Sequence, residues 1–142
     1  MKKFFVTIIA VIIATSFGAT QQVMANNSQA SEPTNTESSD VLLSSHYTGV
    51  IGNNLYITAY IQVHSNGSYT GWYYYNKNGA NNKLELSGYK DDRGVVVLRE
   101  YNNYGDQTGY FEGTFNRNGE FIGIMHVIYN GKRYACRLTP RR

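Results

Sequence analysis

Apolar and polar residues alternate through most of the chain beyond residue 46. Within 55–64, Leu55, Ile57, Ala59, Ile61 and Val63 share one parity, and Tyr56, Thr58, Tyr60, Gln62 and His64 share the other. A period of two with one apolar side predicts a strand with one face on a core and the other toward solvent. Segment 108–116 repeats the arrangement, setting Gly109, Phe111, Gly113 and Phe115 against Tyr110, Glu112 and Thr114. Segment 121–129 is apolar on both parities, with Phe121, Gly123, Met125, Val127 and Tyr129 against Ile122, Ile124, His126 and Ile128. That pattern predicts a cover over its outer side.

Turn signals separate the alternating runs. They are Gly52-Asn53, Asn66-Gly67, Asn78-Gly79, Arg93-Gly94, Gly105-Asp106, Asn118-Gly119 and Asn130-Gly131. Asn-Gly between apolar runs predicts a two-residue type I′ hairpin turn, because both central positions need positive φ. Seven turns divide the domain into eight strands near 46–51, 55–64, 68–75, 83–89, 95–102, 108–116, 121–129 and 132–138. No helical period interrupts them. Pro33 and Pro140 both fall outside these ranges, as a hydrogen-bonded ladder requires.

A glycine follows two residues after a large apolar residue in Tyr47-Thr-Gly49, Tyr69-Thr-Gly71, Leu86-Ser-Gly88, Phe111-Glu-Gly113 and Phe121-Ile-Gly123. Glycine inside a strand marks a bulge or a tight bend. Repeated from strand to strand, it predicts a sheet curling on itself. The expected fold is all-β, an eight-stranded antiparallel up-and-down meander closing into a small barrel; the alternative is an open curled sheet. Closure would remove the exposed edges. Eight strands leave an interior either filled by side chains or able to hold one small ligand.

The chain has 142 residues, and its first 25 read as a secretory signal peptide. Lys2 and Lys3 form the positive region, 4–14 the apolar run, and Val23-Met24-Ala25 precedes a cleavage point at Asn26. The apolar run is shorter than the roughly 20 residues of a membrane span, so no stable membrane insertion is expected. Residues 26–44 read as a disordered linker, with Asn26 to Asp40 containing Asn, Ser, Gln, Thr, Glu and a Pro but no large apolar residue, leaving 45–140 as the β-barrel domain. The formal charge of +3 falls to +1 once Lys2 and Lys3 are removed. Near neutrality argues against a nucleic-acid partner, which needs a concentrated basic face, and none is expected. The lone Cys136 cannot form an internal disulfide. It alternates with Tyr134 and Leu138, which predicts a small apolar core residue.

The chemistry-bearing residues form no catalytic or metal signature. His46, His64 and His126 stand at no ligand spacing from one another, from Cys136 or from clustered carboxylates. No nucleophile elbow or glycine-rich phosphate loop occurs. No catalytic residue, metal or cofactor is therefore expected. Glu100 follows Val96 and Leu98 on an apolar parity and points inward; with Glu112 on the next strand it could form an acid–base pair. The plainer alternative is a buried Glu100 paired with Arg99 or Arg137, or hydrogen-bonded to a Tyr. Asp91, Asp92 and Asp106 sit on turns, where ordinary turn chemistry explains them. Tyr69, Trp72, Tyr73, Tyr74 and Tyr75 crowd one strand, with Tyr56 and Tyr60 on the strand before it. Such rings suit recognition at low entropic cost, although cross-strand rings also stabilise sheets.

The run Tyr69-Thr-Gly-Trp-Tyr-Tyr-Tyr75, Asn-Lys-Asn-Gly79, Leu84-Glu-Leu-Ser-Gly88, Leu98-Arg-Glu100 and Thr108-Gly-Tyr-Phe-Glu-Gly113 resembles a group of small exported bacterial all-β domains. The resemblance spans about 46–139, with a departure at Gly123-Ile-Met125, where many members have Gly-x-Trp. Related domains occur in proteins named as lysozyme-inhibitor-like. More loosely, the meander is similar to avidin- and lipocalin-like barrels. The resemblance implies an exported, non-enzymatic binding protein of the cell envelope, periplasmic or secreted, that recognises or inhibits a protein such as a lytic enzyme. A small-ligand carrier barrel is the alternative, and a hydrolase using Glu100 ranks behind both. The expected binding residues are Trp72, Tyr74, Tyr56, Tyr60, Glu100 and Glu112, and the expected partner is an unknown protein or a small molecule.

Overall fold

The period-two segments become strands of one closed sheet. The computed structural model describes residues 39–142, so the signal peptide, most of the linker and Pro33 lie outside the described residues. The strands are β1 (Val41–Ile51), β2 (Leu55–His64), β3 (Ser68–Tyr75), β4 (Leu84–Lys90), β5 (Val96–Tyr101), β6 (Gln107–Phe115), β7 (Phe121–Val127) and β8 (Arg133–Pro140). Each pairs antiparallel with its neighbour in the chain, and β1 pairs with β8 from Tyr47↔Pro140 to Ile51↔Cys136. The up-and-down barrel is closed, not an open curled sheet; closure pairs Tyr47–Ile51 with β8, while the first part of β1 pairs with β2 alone.

Most strand ends lie within one or two residues of the sequence pattern, β7 ending at Val127 and not at 129, and two boundaries change the reading. β1 begins at Val41, so 41–44 is strand and not linker. There Val41, Leu43 and Ser44 pair with His64, Val63 and Gln62 while their side chains stay exposed, so the pairing comes from backbone ladder bonds that leave no apolar alternation to read. β8 runs to Pro140, which occupies the last strand position; Arg141 then donates its N–H to the His46 carbonyl at 2.8 Å. Proline is tolerated there because the ladder ends with it.

The turns also differ in type. A two-residue type I′ turn was expected at Asn-Gly. Instead Gly67, Gly94, Gly105 and Gly119 each donate their N–H to the carbonyl three residues earlier, and each has positive φ. This is a type I turn followed by a left-handed glycine. Three of these turns share a further device. The side-chain oxygen of Asp91, Asn102 or Asn116 accepts the N–H groups two and four residues ahead, at 2.9–3.0 Å. Asp-x-x-Gly and Asn-x-x-Gly are thus the turn signatures of this chain, and turn chemistry accounts for Asp91.

The core follows the predicted parity. Ile57, Ala59, Ile61, Tyr69, Tyr73, Leu86, Val96, Leu98, Phe111, Phe121, Met125, Cys136 and Leu138 are buried inside. Rings pack among these aliphatic side chains, most densely at one end of the lumen. Phe115 lies 6.2 Å from Tyr47, 6.0 Å from Tyr69 and 5.3 Å from Phe121, and Tyr73 meets Phe111 edge-on at 5.3 Å. The Ile122 and Ile124 side of β7 lies against solvent with Ile122 half exposed, so the expected cover is absent among the described residues.

The strand glycines let the wall bend. A Cβ on Gly71 would stand 2.0 Å from the Tyr60 carbonyl oxygen, and one on Gly88 1.8 Å from that of Val97. The obstacle is backbone, which cannot rotate aside. Gly71→Ala is therefore expected to lower stability by at least about 1–3 kcal/mol, the usual cost of overpacking. Gly67→Ala supplies a useful contrast: it meets no atom within 4 Å but has φ +80, so its penalty is conformational alone. Urea denaturation of both variants checks the ranking; a smaller loss for Gly71→Ala would overturn the close-approach argument.

Candidate functional site

Two constellations follow from this register, one on the outer wall and one inside an end of the barrel. On the outer wall, His46 pairs with Tyr60, Tyr60 with Trp72, Trp72 with Glu85, and Glu85 with Tyr101. Directly opposed residues on one face interact. His46 lies 4.7 Å from Tyr60, Tyr60 stacks on Trp72 at 5.8 Å, and Trp72 stacks on Tyr74 at 6.1 Å. The Lys83 ammonium sits 4.0 Å from the Trp72 ring centroid, close enough for a cation–π contact. Beside the row runs a groove of about 520 Å³ floored by Gln62, Thr70, Gly71 and Ser87.

The structure brings together three of the four predicted ring residues, Trp72, Tyr74 and Tyr60. Tyr56 stands nearer the β1–β2 turn with 64% of its surface exposed. His46 and Lys83 complete the row and were not singled out beforehand. His46 could have been found from parity, since it precedes Tyr47 as Trp72 precedes Tyr73. Lys83 falls within the predicted 83–89 strand and on the parity of Glu85, but its approach to Trp72 depends on the β3–β4 register, which the sequence pattern does not give.

Inside the barrel, Glu100 is only 5% exposed. Tyr73 donates its hydroxyl to Glu100 Oε2, and Thr108 donates its hydroxyl to Oε1. The Tyr75 hydroxyl lies 3.4 Å from the Tyr73 oxygen. A bulge makes the Thr108 contact: Glu100 pairs with Gly109 but Tyr101 with Gln107, leaving Thr108 as the extra residue. Bulges commonly re-aim a side chain in this way. Burial pushes the Tyr73 hydroxyl well above the ordinary tyrosine range, and the neighbouring Glu100 carboxylate adds to it. The expected alternative to an acid–base pair, a buried Glu100 bonded to a Tyr, is the arrangement found.

The Glu100–Glu112 pair is not assembled. Glu112 is exposed, opposite Val97 and Ile124 on the outer wall, whereas Glu100 faces the lumen. Glu112 also lies apart from the ring row on β1–β4. The physical reason is parity: inward positions on β6 are odd-numbered and those on β5 even-numbered. Among the described residues no group of three or more His, Cys, Asp or Glu could hold a metal ion. His64 Nε2 lies 2.6 Å from Thr70 Oγ1, and His126 stacks on Tyr110 at 4.3 Å. Cys136 is buried, and burial pushes its thiol up to about 12.

The chain matches no protein-family model, no curated protein and no solved structure to a significant degree.

Proposed function

We propose that this is an exported, non-enzymatic protein-recognition domain that binds through the ring row of β1–β4. The observation that carries the reading is the covered state of Trp72. Lys83 lies over its ring, and Tyr60 and Tyr74 flank it. A sugar or a nucleobase stacks on a bare ring face, and this ring offers little of one. What the row presents is a pre-ordered patch of packed rings. Such groups make the dominant contacts of protein interfaces, where Trp and Tyr are enriched. Their mutual packing also lowers the entropy lost on association.

The resemblance noted above supplies the concrete partner, a lytic enzyme of the lysozyme type met outside the cytoplasm. Residues 1–25 are the export signal in this reading, and the exported protein begins at Asn26. The test uses protein recovered from periplasm or medium, with its N-terminus sequenced. Binding to purified lysozyme is followed by interferometry, and lysis is assayed in parallel. Trp72→Ala is expected to weaken binding about tenfold or more, the range of a central interface residue. The Tyr129→Ala variant lies off the row and is expected to bind normally. Absence of lysozyme binding overturns the lytic-enzyme reading; equal loss in both variants overturns the assignment of the surface.

A further inference from the structure

The lumen is filled by rings toward the β2–β3 and β6–β7 turns, but not at the opposite end. There a cavity of about 320 Å³ opens between the β1–β2 and β7–β8 turns. Ile51, Leu55, Met125 and Val127 give it apolar walls, Tyr75 and Tyr134 give it rings, and Glu100 with Thr108 provides its polar patch. The volume is at the lower end for a ligand pocket, so a long-chain carrier site is excluded and a small ligand fits.

We propose that this mouth binds a small organic ammonium ion with an apolar body. The argument starts from charge. A carboxylate removed from water is costly unless a cation compensates it. Among the described residues the ion pairs are Arg93–Asp91 and Arg137–Glu120, and Glu100 has no such partner. Its two hydroxyl donors occupy one site on each oxygen, while a carboxylate offers about four. The unused lone pairs take N–H donors, and an ammonium group supplies both the donors and the missing charge. Tyr75 and Tyr134 can face the same cation. The aliphatic walls then take the hydrocarbon part. An anion would meet Glu100 with like charge, and a neutral alcohol would leave the carboxylate uncompensated. This site is separate from the outer ring row and does not depend on the reading of that row.

The test uses n-pentylammonium, 1-pentanol and pentanoate as probes on the full chain carrying a 13C label on methionine methyls. Met125 lines the cavity and reports occupancy directly. Saturable movement of its signal by n-pentylammonium is expected, with an affinity about tenfold or more above that of 1-pentanol, since hydrogen bonds to charged groups are the stronger kind. Pentanoate is expected to leave the signal in place. Glu100→Gln is expected to bring amine and alcohol to similar affinities. Should that variant not fold, Leu55→Trp keeps Glu100 and fills the mouth, and it is expected to abolish the response. Equal affinity of amine and alcohol for the unaltered protein overturns the proposal, as does an unmoved Met125 signal or amine binding that survives Leu55→Trp.

Discussion

Phe121→Ala is expected to lower stability by about 3–5 kcal/mol, a large part of the roughly 5–15 kcal/mol that holds an ordinary domain together. Phe121 is wholly buried at the start of β7 and meets Phe115 edge-on, 5.3 Å between centroids. Phe115 in turn contacts Tyr47 and Tyr69, so the ring sits in a cluster that plugs one end of the lumen. Gly113 on the facing strand makes room for it: a Cβ there would lie 2.8 Å from the Phe121 ring tip. Truncation removes the ring while the hydrogen-bonded wall around it stays closed. A closed barrel cannot collapse onto the gap as two separate layers can, so the cavity term adds to the lost burial. Ile122, one residue along and half exposed on the outer wall, is the comparison. Its replacement by Ala is expected to stay within about 0.5 kcal/mol, as for most surface changes. Chemical denaturation of the two variants decides the matter, and equal losses would mean that the inside of β7 has been misassigned.

Phe121 against Ile122 also indicates what the sequence could reveal. Parity alone separates them, and it separates Glu100 from Glu112 equally well. The strand glycines were legible as special positions because a small residue repeated on the core face marks a bend or a close approach. The turn type was less legible. Asn-Gly suggested two-residue turns, whereas the operative signal is the Asp or Asn three residues before the glycine, whose side chain caps two N–H groups. Hardest to read was the surrounding of Glu100. Tyr73 is 27 residues away in sequence, and the approach of Thr108 depends on a bulge that breaks parity locally. The four rings expected to bind all share outward parity, and three of them pack together on the outer wall. Tyr73 and Tyr75, crowded on the same strand, face inward toward Glu100, which the run of rings alone did not show. Periodicity reports which side of the wall a residue occupies; it does not report which residues a closed sheet brings opposite each other across the lumen.

Alkaline unfolding is the second large effect expected, and it follows from the same closed lumen. Burial holds the Cys136 thiol up to about 12, against an ordinary value of 9.0. Burial also raises Tyr73, with Glu100 and Tyr75 adding to it, and raises Tyr75, Tyr47 and Tyr69. In every case the protonated, neutral form is the one the fold accommodates. A group whose proton is held more tightly in the folded chain stabilises it fully below the unfolded pKa and loses that contribution as pH climbs toward the folded one. For Cys136 that window runs from about pH 9 to about pH 12. At about 1.4 kcal/mol for each tenfold in proton affinity, the thiol alone ties on the order of 4 kcal/mol to its proton. The raised tyrosines act in the same direction, so the urea midpoint is expected to hold steady up to about pH 9 and then fall steeply. Ionisation of the buried tyrosines Tyr47, Tyr69, Tyr73 and Tyr75 and loss of the sheet signal in circular dichroism should then occur together in one cooperative step. Cys136→Ala removes the thiol and is expected to make the fall shallower while leaving the tyrosine step. A midpoint unchanged between pH 9 and pH 12 would show that these groups ionise without opening the barrel, and that the lumen is wetter than its packing of rings implies.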